Sequence, residues 1–185
     1  MRLNLSVRCP LNTVANVKDR HELAVLSAAL VEHNRLHGSA LEIVARPDPP
    51  DAILSDGSTT TWMEHTDAFF SGDWARDLTT HAAAVIHRPM EQRGYFEPDA
   101  QLAGAFCNGV LDKAGKATYA GCIAQYGPGI LVVGLESPWL DEDTIREINE
   151  AWAELGSPDI SATFAHVYLG YRDASGNRAT AWPGR

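Results

Sequence analysis

A hairpin signal early in the chain constrains the fold more than any other segment. Ala52-Ile53-Leu54-Ser55 runs into Asp56-Gly57, and Thr60-Thr61-Trp62-Met63 runs out. Asp-Gly between two apolar, β-branched runs is a strong short-range signal for adjacent antiparallel strands. Side chains alternate faces along a strand, so Trp62, Glu64 and Thr66 share one face of the second arm. A two-residue loop pairs Ser55 with Ser58 and sets Asp51 opposite Trp62. A four-residue loop sets Asp51 opposite Glu64 itself. Either register places Asp51, Trp62, Glu64 and Thr66 on the same side of the ribbon. Two carboxylates converging there, beside polar groups, make a hard oxygen-donor site of the kind Mg²⁺ prefers.

The remaining elements read from periodicity and breakers. Val17 to about His37 predicts a first helix, with Leu23, Leu26 and Leu30 at helical spacing, Glu22 and His33 flanking that stripe, and Gly38 ending it. Leu41 to Ala45 predicts a short strand before the hairpin. Pro47 to Pro50 sets the direction of the backbone entering it. Asp73 to about Ala84 reads as helical, and Val85-Ile86-His87-Arg88 as a strand or loop. Pro98 to Lys113 is a second clear helix, with Leu102, Phe106, Val110 and Leu111 as its apolar face. Gly129-Ile130-Leu131-Val132-Val133-Gly134-Leu135 is a continuous apolar run, the mark of a strand covered on both faces. Asp141 can cap a helix over Glu142 to Leu155, whose acidic first turn suits the helix dipole. Thr163 to Tyr171 is the last expected strand, with 1–16 and 174–185 as peripheral or flexible ends and Trp182 in the tail. The order α, β, β, β, α, α, β, α, β predicts an α/β fold: a mixed central β-sheet with an antiparallel ribbon, flanked by helices, in one domain of 185 residues.

Charge bears on partners. The net charge is −9, yet residues 1–46 hold six Lys/Arg against four Asp/Glu. From Glu136 to Asp159 eight acids face Arg146 alone. Duplex binding draws its affinity from cations that neutralise phosphates, so this balance argues against avid nonspecific DNA binding and restricts nucleic acid to a weak or local contact. Cys9, Cys107 and Cys122 are odd in number and widely spaced, which suggests neither a disulfide framework nor a zinc knuckle. No apolar run approaches a membrane span and no leader is recognisable, so the expectation is a soluble, cytoplasmic protein with no membrane partner. The apolar final strand offers an edge for a homodimer.

An early helix bearing an acid, Pro50-Asp51 opening a hairpin, and Glu64 on its second arm together resemble the PD-(D/E)XK nuclease-like superfamily. The resemblance covers Val17 to about Leu135 and implies a restriction-endonuclease-like fold, in which a helix precedes an antiparallel ribbon and a further helix and strand complete a mixed sheet. Two further segments, Leu111 to Tyr119 and Leu135 to Leu140, suit a small bacterial branch of nuclease-like proteins. Carried over by position, Asp51 matches the motif's metal-binding aspartate, Glu64 its second acid, and Glu22 the helix acid that some members use. The motif's lysine falls at position 66, where this chain has Thr66. Lysines migrate within the superfamily, and Lys113 and Lys116 are the candidates here. The resemblance implies Mg²⁺ or Mn²⁺ held by Asp51, Glu64 and the backbone carbonyl of His65, and a metal-dependent phosphodiesterase acting on nucleic acid. The alternatives are a degenerate member serving as a binding or assembly module and, more remotely, an acidic subunit that mimics nucleic acid.

Other chemistry is weaker. The His65 side chain is expected on the face opposite Asp51, packed or hydrogen-bonded, with Asp67 a strand-end acid of the same parity. His33 and His37 sit four apart, but no Glu stands between them as in His-Glu-x-x-His, so the histidines predict no zinc enzyme. Ser137 lacks a Gly-x-Ser-x-Gly elbow, and Gly127-Pro128-Gly129 lacks the Lys-Ser or Lys-Thr of a phosphate loop.

Overall fold

The computed structural model describes residues 14–82, 89 and 97–183. Helix α1 (Val14–His37) leads into strands β1 (Glu42–Ala45), β2 (Ala52–Ser55) and β3 (Thr60–Phe69). Helices α2 (Gly72–Ala82) and α3 (Pro98–Ala114), a 3₁₀ turn over Ala117–Tyr119 and helix α4 (Ala120–Tyr126) then precede β4 (Gly129–Glu136). Helix α5 (Glu142–Glu154) and strands β5 (Phe164–Asp173) and β6 (Gly176–Trp182) complete the order. The expected strand or loop at Val85 to Arg88, and most of the expected N-terminal end, lie outside the described residues.

The six strands form one mixed sheet in sequential order. β1, β2 and β3 are an antiparallel meander, β3, β4 and β5 run parallel, and β5 and β6 are antiparallel. The two parallel crossovers share one hand, which brings α3 and α5 together on one face. Helix α1 crosses the opposite face, contacting β3, β4, β5 and β6. The sheet therefore separates two cores. Trp62, Phe106, Val110, Leu131, Val133 and Trp182 belong to the α3–α5 side. Val25, Leu26, Met63, Ile130, Val132 and Tyr168 belong to the α1 side. Strand β4 sits at the centre and is buried from Gly129 to Leu135, as a run covered on both faces requires.

Helix α5 begins where its acids predict. The Asp141 side chain accepts from the N–H groups of Asp143 and Thr144, and the Thr144 hydroxyl returns a bond to the Asp141 backbone, completing a capping box. Helix α1 is rotated from the expected stripe: Val25, Leu26, Ala29, Leu30 and His33 are buried, whereas Leu23 is 40% exposed. The face is set by the sheet beneath, and Val25 fits where Gly170 leaves room, since a Cβ on that glycine would lie 2.9 Å from Val25 Cγ1.

The C-terminal end departs most from expectation. Residues 176–182 are a strand paired along the length of β5, so β5 is neither the last strand nor an open edge for a second copy. Trp182, expected in a flexible tail, is buried against Phe106 and Trp152 and donates from Nε1 to Asn149 at 2.8 Å. Burying an indole whose N–H finds a partner is a large apolar gain, enough to hold the end of the chain. Among the described residues no helix is long and apolar enough to cross a membrane.

Candidate active site

The hairpin closes with a four-residue loop, Ser55 pairing with Thr60. Asp56 fixes it: its Oδ1 accepts from the N–H groups of Ser58 at 2.9 Å and Thr59 at 2.7 Å. That register pairs Ala52 with Met63, and one step further brings Asp51 opposite Glu64. The contacts agree, since the Asp51 N–H donates to Glu64 Oε2 at 3.3 Å and the His65 N–H donates to Asp51 Oδ2 at 2.7 Å. A residue's N–H and C=O leave an extended strand along the same lateral edge. The His65 carbonyl thus shares the edge occupied by Asp51.

Two further groups reach this point from separate elements. Leu102, Phe106 and Val110 are buried along one stripe of α3, and Lys113 is its next position. The Lys113 ammonium pairs directly with Glu64 Oε1, with the lysine side chain 15% and the glutamate side chain 6% exposed. Its place in the last turn of α3 also suits a cation, at the negative end of the helix dipole. Tyr119, in the 3₁₀ turn, packs its ring 5.1 Å from that of Trp62, and its phenol lies in the field of the Glu64 carboxylate. Trp62 is itself fixed by Nε1 donating to Gly127 O at 2.9 Å. Gly129 makes this possible, because a Cβ there would overlap the indole.

The electrostatics follow from burial. The half-buried Asp51 has its pKa raised, chiefly by desolvation and further by Glu64 and Glu22, against the lowering effect of the His65 N–H and Lys113. Burial and the Glu64 carboxylate push the Tyr119 phenol up, so it stays protonated. Negative charge at the site thus exceeds what Lys113 offsets, and the surplus falls on oxygen donors.

The other expected residues divide. Glu22 pairs with Arg46 and reaches Asp51 only as a field. Thr66 lies on the site's face but packs toward Gly109 of α3, where an added Cβ would sit 3.5 Å from Thr66 Cγ2. Lys116 is turned away, paired with Asp112 at 3.2 Å on the surface. Tyr119 is the residue that sequence reasoning left out. Its only signal was an aromatic shortly after the end of α3.

The opposite face of β3 carries different chemistry. The buried His65 bonds Asp67 at 2.8 Å, and His21 of α1 reaches the same Asp67 oxygen at 3.2 Å. Asp67 is inside the strand, not at its end. Burial disfavours its charge, but the hydrogen bonds from His21 and His65 hold its carboxyl well below the usual range. His21 is raised mainly by its bond to Asp67. Gly134 leaves room for that carboxylate, since a Cβ there would overlap Asp67 Oδ1. Farther along the same face, His166 of β5 joins His33 and His37, a grouping that the sequence spacing did not indicate. Burial, then His37 and His166, push His33 down to about 4.

Compared with models of known protein families, with curated proteins and with solved structures, the chain matches none at a significant level.

Proposed function

We propose that this chain is a divalent-metal-dependent phosphodiesterase acting on nucleic acid, of the PD-(D/E)XK nuclease-like superfamily. The observation that carries the reading is the convergence of Asp51, Glu64 and the Lys113 ammonium on one face of a β-ribbon. The element order supports it as well: a helix, an antiparallel meander, a helix and a strand parallel to the third. Lys113 takes the place that Thr66 vacates in the motif, reaching the same acid from α3.

Asp51, Glu64 and the His65 carbonyl are oxygen donors with surplus negative charge, the set that Mg²⁺ or Mn²⁺ takes and that nitrogen-seeking metals do not favour. Bound there, such an ion supplies Lewis-acid polarisation of a phosphodiester oxygen and a lowered pKa for an attacking water. The His65 N–H holds Asp51 by one carboxylate oxygen, and the second would take the ligand. Lys113 places a fixed positive charge beside the phosphate oxygens as water adds to phosphorus and the P–O bond to the leaving oxygen breaks. Tyr119, kept protonated, adds no negative charge beside Glu64.

A second reading, a binding or assembly module, is favoured by the depth of Glu64, already engaged by Lys113. Purified protein incubated with Mg²⁺ or Mn²⁺ and single- or double-stranded DNA and RNA separates the two. Cleavage that is abolished by Asp51→Asn and by Glu64→Gln, and reduced about 10²–10³-fold by Lys113→Met, supports the enzyme. Cleavage surviving unchanged in both carboxylate variants overturns it. Nucleic-acid binding without cleavage selects the module.

A further inference from the structure

The α1 face of the sheet holds a group that the phosphodiesterase reading leaves unused. His33 and His37 stand one turn apart at the end of α1, and His166 comes from β5 beneath them. Their rings lie 4.4 Å (His33–His37), 4.5 Å (His37–His166) and 5.1 Å (His33–His166) apart between centroids. One ligating nitrogen from each lies within 4.8 Å of the others. Nitrogens about 2.0–2.1 Å from a tetrahedral zinc are roughly 3.4 Å apart, so small ring rotations close the set.

We propose that His33, His37 and His166 form a three-histidine site for a zinc-class divalent transition metal, with its fourth position open to the adjoining cavity. Imidazole donors suit zinc, copper and nickel and do not suit Mg²⁺, so this ion differs in kind from one held by Asp51 and Glu64. A fixed orientation distinguishes the arrangement from a chance stack of rings. His33 Nδ1 is bonded to the Tyr168 hydroxyl at 2.9 Å, which leaves Nε2 as the nitrogen for the ion. Ligating histidines characteristically have their other ring nitrogen held this way. Tyr168 is two residues beyond His166 on the same strand face, so β5 supplies one ligand and positions another. The cavity beside them, about 220 Å³, has an apolar wall from Leu41, Pro128, Ile130 and Ala165. Ser39, Asp56, Thr59 and Thr61 supply polar groups besides the histidines, and it has room for a metal-bound water. Three protein ligands with an exchangeable fourth is the pattern of reactive rather than purely structural zinc.

The test uses chelator-stripped protein titrated with Zn²⁺ by calorimetry and with Co²⁺ by visible absorption. The expected result is one ion per chain and the d–d bands of a four-coordinate Co²⁺. His37→Ala, a change at an exposed position that the fold tolerates, and His166→Ala should each weaken binding at least tenfold, an order-of-magnitude figure for losing a ligand contact. Tyr168→Phe should weaken it about tenfold and shift the Co²⁺ spectrum while the protein stays folded. Asp51→Asn and Glu64→Gln should leave Co²⁺ binding unchanged. The proposal is overturned by an absence of saturable binding, by binding undiminished in His37→Ala and His166→Ala, or by binding that depends on Asp51 or Glu64.

Discussion

The two faces of the sheet carry opposite donor chemistry, and β3 serves both. Its even positions send Glu64 toward α3, where it meets a lysine, the field of a phenol and the Asp51 backbone N–H. Its odd positions send His65 and Asp67 toward α1, where imidazoles gather. One face concentrates hard oxygen donors with a buried cation against them, and the other concentrates nitrogen donors of a softer kind. A pleated strand imposes this division, because neighbouring side chains cannot share a face. Two sites of unlike selectivity can thus lie either side of one sheet without competing for the same ion.

Truncating a polar side chain on each of the two faces should have very unequal consequences. On the α3 side, Lys113→Met leaves Glu64 buried without its cation and should destabilise the fold by about 3–5 kcal/mol. Adding Glu64→Gln should recover part of that loss, with a coupling of about 0.5–3 kcal/mol in a denaturant cycle. Additive losses would mean that the pair does not act as a unit. Across the sheet, His37→Ala at an exposed position should change metal-free stability by no more than about 0.5 kcal/mol.

Two glycines sharpen the same contrast with a smaller effect. Gly129→Ala drives a Cβ into the rigid indole of Trp62, and overpacking of this kind costs about 1–3 kcal/mol. Gly134→Ala drives its Cβ against Oδ1 at the end of the Asp67 side chain. That carboxylate can turn away, at the expense of its bonds to His21 and His65, where an indole cannot, so the cost should be the lesser of the two in urea unfolding. Equal costs would argue that the α1 face is as tightly packed as the α3 face.

How much of this was legible in the sequence depends on the range of the signal. The shared face of Asp51 and Glu64 needed only the period of a strand and an Asp-Gly loop, and it was readable in either register. The register itself turned on the Asp56 side chain capping two N–H groups, a choice that Asp-Gly alone leaves open. Lys113 and Lys116 are equal candidates in the sequence, and only the phase of the buried stripe on α3 separates them. Tyr119 follows a helix break, where no periodicity points, and it finds Glu64 through its packing on Trp62. His166 is far from His33 in sequence, and their meeting requires α1 to cross over β5. Strand β6 is hard to read from sequence because its alternation is short and polar, and the Asp173-Ala174-Ser175-Gly176 turn before it lacks an Asn-Gly or Asp-Gly pair. Its registration comes from β5 and from the pocket that receives Trp182.

The smallest expected effect is also the one in which the faces oppose each other. His33 is pushed down to about 4 from its ordinary 6.5, so the unfolded chain takes up a proton before the folded one does. Its share of stability is complete above pH 6.5 and is lost as pH falls toward about 4. Asp51 has a raised pKa, so the folded chain binds that proton more tightly. Its share is complete below the ordinary carboxylate value of 3.8 and is lost as pH rises through the raised value. Acidification of the metal-free protein should therefore weaken the α1 face while relieving the α3 face. Urea midpoints measured from pH 7.5 down to pH 4.5 should fall less steeply in Asp51's presence than in Asp51→Asn, which lacks the compensating uptake. Asp51→Asn should also be the more stable form at pH 7.5, since it removes a buried charge at the site. A parent and variant with parallel pH profiles would show that Asp51 is as well solvated as a surface carboxylate, and the surplus charge that invites a hard cation would be gone with it.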